Sequence, residues 1–195
     1  MMRALAIALS AVTALAAAAP ASADETDAKA KLEACFACHG PGGISTVDNM
    51  PSIAAEPSYF TQWQLVFFRA GSRKSEIMGP VASGLSNEDL KNLGALLQAL
   101  PPPPAATTPD NAPDLTAAGA KLAVQRHCDS CHKADFGGQQ AVARLAGQRE
   151  EILLKALQDY KAGTRAGSGV AAMPEVAYTL SEDNMKALAH YLSRL

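Results

Sequence analysis

The sequence predicts an all-α protein built as two tandem helical domains. Three observations carry this expectation. Apolar residues recur at helical period, and no segment alternates as a strand would. Three stretches occur twice, 92 to 95 residues apart: EACFACHG with RHCDSCHK, FFRAGSR with DYKAGTR, and LSNEDLKNLGALLQAL with LSEDNMKALAHYLSRL. Between the copies lies PPPPAATTPDNAPD, residues 101–114, whose proline run cannot continue a helix.

The N-terminal segment 1–23 is set apart from the fold. Arg3 precedes an apolar run from Ala4 to Ala19, and Ala21-Ser22-Ala23 gives a small-residue cleavage site. That pattern is a secretory signal peptide, which implies that the mature chain is exported. The run of 16 residues falls short of the roughly 20 that span a bilayer. No long apolar stretch follows, so no transmembrane segment is expected in the mature chain.

The remaining elements follow in order. Residues 24–100 form the first domain, 101–114 an extended linker, and 115–195 the second domain. Each domain opens with a helix that leads into Cys-x-x-Cys-His. A middle helix follows, with Tyr59, Trp63, Val66 and Phe67 in the first copy and Ile152, Leu153, Leu157 and Tyr160 in the second. Gly71 and Gly163 stand where a C-terminal glycine belongs. The last helices begin at the N-caps Ser86 and Ser181. Their apolar stripes are Leu90, Leu93, Leu97, Leu100 and Met185, Leu188, Leu192, Leu195. The repeat spacing grows between Arg165 and Met173, so the second copy holds three extra residues there.

Composition narrows the function. The whole chain has 17 basic and 19 acidic side chains; without residues 1–23 the balance is 16 to 19, a formal −3. It has no basic tract, so nucleic acid is not an expected partner. Apolar content is ample but aromatics are few. Domains of about 80 residues have marginal cores unless something else fills them.

All four cysteines lie in the two Cys-x-x-Cys-His motifs: Cys35, Cys38 and His39, then Cys128, Cys131 and His132. Thiols three apart share one helical face, and the imidazole follows at its rim. Two such thiols can add to the two vinyl groups of one haem as thioethers, and the histidine can then ligate its iron. The competing readings explain less. A thioredoxin-like pair needs a βαβ context, a zinc site spaces its ligands more closely, and neither disulfides nor thiol exchange require a histidine twice. Two covalently bound haems c are therefore expected, and they would supply the missing core.

The sixth ligand sets the chemistry, since methionine favours electron transfer and an open position invites small molecules. Met78 and Met173 precede their Leu-Ser helices by the same seven residues and are expected in loops. They are read as the second ligands, with His39 and Met78 on the first iron and His132 and Met173 on the second. Met185 aligns with Leu90 and reads as core packing; Met50 has no methionine counterpart. His127 and His190 lack histidine partners and read as surface or capping residues. Trp63 and Tyr160 read as core aromatics. Arg73 and Arg165 end matching Gly-x-Arg turns, either facing haem propionates or lying as solvated charges.

These motifs, with Leu-Ala-Gly-Gln at 145–148, resemble dihaem class I cytochromes c of the cytochrome c4 type. The resemblance spans the mature chain. It implies two cytochrome c folds about an approximate twofold axis, with propionates meeting near the interface. It implies a periplasmic carrier of one electron per haem, not an enzyme. Expected partners are redox proteins: a membrane oxidase, a reductase or a dehydrogenase. An alternative role is the cytochrome subunit of a dehydrogenase complex; a dihaem peroxidase or gas sensor would need an iron without methionine. The first copy departs from the family at Ile53-Ala54-Ala55-Glu56, where Leu-Ala-Gly-Gln is the pattern.

Overall fold

The computed structural model describes residues 23–165 and 172–195. The signal-peptide segment, but for Ala23, lies outside them, as does the stretch holding the three extra residues after Arg165. Among the described residues the protein is helical, with two isolated β-bridges and no strand. The N-terminal half holds α1 (Ala23–His39), α2 (Ser58–Arg69), α3 (Met78–Ser83) and α4 (Asn87–Gln98). The C-terminal half holds α5 (Pro113–Gln125), α6 (Asp129–His132), α7 (Glu150–Lys161), α8 (Ala172–Tyr178) and α9 (Glu182–Ser193).

Local chemistry sets the helix ends. Ser86 Oγ accepts from the Asp89 N–H at 3.1 Å, and the Asp89 carboxylate accepts from the Ser86 N–H at 2.8 Å, a reciprocal cap on α4. Ser181 Oγ accepts from the Asn184 N–H at 3.1 Å and starts α9. Gly71 and Gly163 close α2 and α7 with φ of 70° and 71°, the left-handed turn that glycine adopts without strain.

Each half packs its last helix against its first and its middle helix, α4 on α1 and α2, and α9 on α5 and α7. Leu90, Leu93 and Leu97 are buried from α4, and Met185, Leu188 and Leu192 from α9. Met185 is 0% exposed, which confirms it as core. Burying each such side chain stabilises by roughly 1.5–3 kcal/mol relative to exposure.

Several sequence expectations need correction. Met78 opens α3 and Met173 is the second residue of α8, so both sit in a first helical turn and not in a loop. Pro80 and Pro174 fit there because first-turn N–H groups have no intrahelical partner to lose. The linker is shorter than 101–114, because α5 starts at Pro113. The strap is tied to the C-terminal half: the Ala106 N–H donates to Arg194 O at 3.2 Å, and Pro103 is buried. Trp63 is 43% exposed on α2, stacked on Phe67, and is not a core residue. His190 is 4% exposed and lies inside the C-terminal half. Its burial follows from its position on α9 between the strap and α7.

Candidate functional site

Cys35, Cys38 and His39 form the last turns of α1. In the second half the helix breaks at His127, whose φ is 52°, and α6 restarts to carry Cys131 and His132. Both halves still present the same set: a half-buried first thiol, an exposed second thiol and a buried imidazole. None of the four cysteines is paired in a disulfide. Burial pushes the Cys35 and Cys128 thiols up from their ordinary values.

The imidazoles are oriented alike. His39 Nδ1 lies 2.9 Å from Pro51 O, and His132 Nδ1 lies 2.8 Å from Ala143 O. A carbonyl only accepts, so Nδ1 carries the proton and donates, and the Nε2 lone pair is left for a metal. Burial lowers the proton affinity of both rings, which keeps them neutral. A neutral imidazole tied down at its far nitrogen is the form that ligates iron.

Met78 and Met173 are half-buried at matching helix starts, and neither belongs to the packed apolar clusters that hold Met185 and the leucines. Exposed apolar side chains flank them: Ile77 and Val81 in the first half, Val176 and Tyr178 in the second.

Between the halves lies a polar junction. Arg73 and Arg165 pair as an isolated antiparallel bridge. Arg73 lies over the Phe68 ring at 4.4 Å and Arg165 over Tyr160 at 4.7 Å, matching positions of the two copies. Both guanidiniums donate to Gln64 Oε1, at 2.6 and 3.1 Å. They are drawn inward and not solvated at helix ends. Arg73 is lowered to about 9 by burial and by the neighbouring Arg165 charge. Arg165 Nε is buried with no hydrogen-bond partner among the described residues. Two crowded cations and an orphaned donor fit an anionic group, and haem propionates supply one. The residues present therefore fit two haems: two thiol pairs, two oriented imidazoles and a cationic seam between them.

Sequence reasoning passed over Gln64, Glu56 and Asp110. Glu56 had a signal, its departure from the family pattern. Gln64 had none, since its counterpart in the second copy is Ala156.

A family model described as cytochrome c matches residues 116–195. Over 186 residues the chain is 30% identical to cytochrome c4 of Thiocapsa roseopersicina, covering 92% of this chain and 96% of that protein. The chain belongs to the cytochrome c4 family. The solved structure of reduced recombinant cytochrome c4 from Pseudomonas stutzeri matches with a TM-score of 0.77 at 27% identity, over 89% of this chain and 100% of that one. A protein named thiosulfate dehydrogenase electron acceptor, from Stutzerimonas stutzeri (strain A1501), is 30% identical over 83% of this chain and 79% of its own length. As a cytochrome c4-type protein the chain has two cytochrome c domains, binds covalent haem c, and is an electron carrier and not an enzyme.

Proposed function

We propose that this cytochrome works in the periplasm, passing electrons one per haem between a respiratory donor and a terminal oxidase or reductase. Cys35 and Cys38 would hold the first haem and Cys128 and Cys131 the second. His39 with Met78, and His132 with Met173, would ligate the two irons. The haem supplies the one-electron couple; the chain supplies ligation, burial and orientation. The observation that carries the reading is the duplicated imidazole geometry, each Nδ1–H held by a backbone carbonyl directly beside a thiol pair. The domains are assigned to 24–100 and 115–195, with the start of the second moved back to Pro113 where α5 begins and the strap between them. Ile77, Val81, Val176 and Tyr178 are exposed beside the methionines and suit short-lived docking of redox proteins. A second reading, electron acceptor of a dehydrogenase, is supported by the relatives that carry that name.

Visible spectra of the holoprotein test this. Low-spin spectra in both oxidation states, with the weak ferric methionine–iron band and no response of the reduced form to carbon monoxide, are expected. A carbon monoxide shift at either haem would remove the methionine assignment there. Co-purification with a larger flavin or molybdenum subunit would favour the second reading.

A further inference from the structure

The junction holds a crosswise pattern that electron carriage alone does not call for. Pro51 O orients His39, and the next residue, Ser52, is gripped from the other half. Gln148 Oε1 accepts from the Ser52 N–H at 3.0 Å, and Gln148 Nε2 donates to Ser52 O at 2.8 Å. Ala143 O orients His132, and the next residue, Arg144, is gripped from the first half. Its N–H donates to Glu56 Oε2 at 3.0 Å. Glu56 and Gln148 occupy the same position of the two copies. Each half therefore clamps the backbone that aims the histidine of the other.

The two clamps differ in chemistry. The Gln148 amide donates and accepts at once; a carboxylate only accepts, whereas a carboxylic acid does both. Glu56 is 7% exposed. Burial pushes its carboxyl up to about 8, against the Arg144 N–H and the charges of Arg165, Arg144 and Arg73, which all favour the anion. At neutral pH the acid form prevails, and like the amide it accepts the backbone N–H without a charge. Above that range the clamp becomes an anion, while Gln148 stays as it is.

We propose that Glu56 and Gln148 are reciprocal positioning residues, each steadying the iron-ligating histidine of the opposite half, and that only the Glu56 clamp answers to protons. This rests on the histidine ligation proposed above. An added negative charge behind Ala143 favours the oxidised state of the His132 site. One of the two reduction potentials then falls as pH rises through the titration of Glu56, and the other stays level.

The test uses the full holoprotein and begins with its haem content. A chain without two covalent haems overturns the proposed function itself. With both haems present, potentials are measured on either side of about pH 8, the value to which burial pushes Glu56. The wild type should show one pH-dependent and one level potential. Glu56→Gln, which places the residue of the second copy in the first, should make both level. The exchange E56Q/Q148E should move the slope to the other haem. Solvent exchange of the histidine Nδ1–H protons, read by nitrogen-15 NMR of the reduced protein, gives a second measure. Exchange at His132 should slow above the titration in the wild type, because the anion holds the Arg144 N–H more tightly, and not in E56Q, while His39 stays unchanged. Two level potentials in the wild type, or a slope that survives in E56Q, would overturn the positioning inference and leave the electron-carrier reading standing.

Discussion

The two halves share a plan but differ in how they hold it. In the C-terminal half one buried cluster joins Ala123, Phe136, Ala146, Leu153, Leu180, Met185, Leu188, Ala189 and Leu192. In the N-terminal half the corresponding cluster is Leu32, Leu93 and Leu97. The helix crossings differ as well. Helix α5 meets α9 at Gly119, where an added Cβ would lie 2.1 Å from Ala187 O. Helix α1 meets α4 partly through Lys31, whose ammonium reaches Asp27 at 2.5 Å and Asp89 at 2.6 Å near the surface. Exposed ion pairs contribute little, while apolar burial contributes much. The C-terminal half thus has the larger apolar core among the described residues.

The largest expected effect comes from removing the close approach of α5 to α9. Gly119→Ala forces a methyl against the backbone of Ala187 and the Tyr191 Cβ, so the helices must part. A loss of about 3 kcal/mol is expected in denaturant unfolding of the holoprotein, even after the gain in helix propensity. Gly94→Ala on α4 is the matching change in the first half. Its Cβ would sit 2.8 Å from Ser58 O and 2.9 Å from Ser58 Oγ, a lesser clash at the edge of α2. About 1 kcal/mol is expected there. Equal losses at the two sites would remove the contrast between the crossings.

The next effect is pH-dependent and rests on a histidine latch in the C-terminal half. His190 Nδ1 lies 2.9 Å from Glu150 Oε2, and its Nε2 lies 3.1 Å from Asp110 Oδ1. Asp110 also receives the Thr116 hydroxyl at 2.6 Å and the Ala112 N–H at 2.9 Å. The charged ring therefore latches the strap, α7 and α9 together. Burial works against its charge, yet the hydrogen bonds to Asp110 and Glu150 carry its pKa above the ordinary value. A histidine raised on folding contributes fully below its unfolded value near 6.5, and that contribution is lost as pH rises through the folded value. His190→Gln should lower the thermal midpoint by a few degrees at mildly acid pH. The gap to wild type should close as pH rises. A gap of constant size across that range would mean that packing, and not charge, gives His190 its role. The counterpart in the first half is Ala95, so no such dependence arises there.

The contrast also explains what could be read from the chain. The serine caps, the C-terminal glycines and the buried stripes of the last helices, Leu90, Leu93 and Leu97 on α4 and Met185, Leu188 and Leu192 on α9, are decided within a few residues of themselves and stand where the sequence placed them; Leu100 and Leu195 fall just past the helix ends. Met185 was legible as core because its stripe is periodic. His190 was not, because its partners lie 40 and 80 residues away and only the folded strap brings them to it. Trp63 looked like core on an amphipathic helix, but α2 turns that ring outward. The junction was least legible. Glu56 stood out as a departure from a family pattern, yet its meaning depends on Arg144, 88 residues on.

The smallest effect concerns a turn that both halves make and only one makes without strain. After the histidine of each Cys-x-x-Cys-His motif the backbone enters the same unusual region: Gly40 has φ 83° and ψ 162°, and Lys133 has φ 69° and ψ 163°. Glycine adopts this conformation freely, whereas a lysine there is strained by roughly 1–3 kcal/mol. The Lys133 ammonium returns little, since its contact with Asp135 at 3.3 Å is exposed. Replacing Lys133 by glycine relieves the strain but loosens the unfolded chain, which offsets part of the gain. Lys133→Gly should therefore stabilise the holoprotein by about 1 kcal/mol in denaturant unfolding, with an unchanged haem spectrum. A net loss would show that Lys133 makes a contribution in the C-terminal half that outweighs its backbone strain, and that the two turns are not equivalent after all.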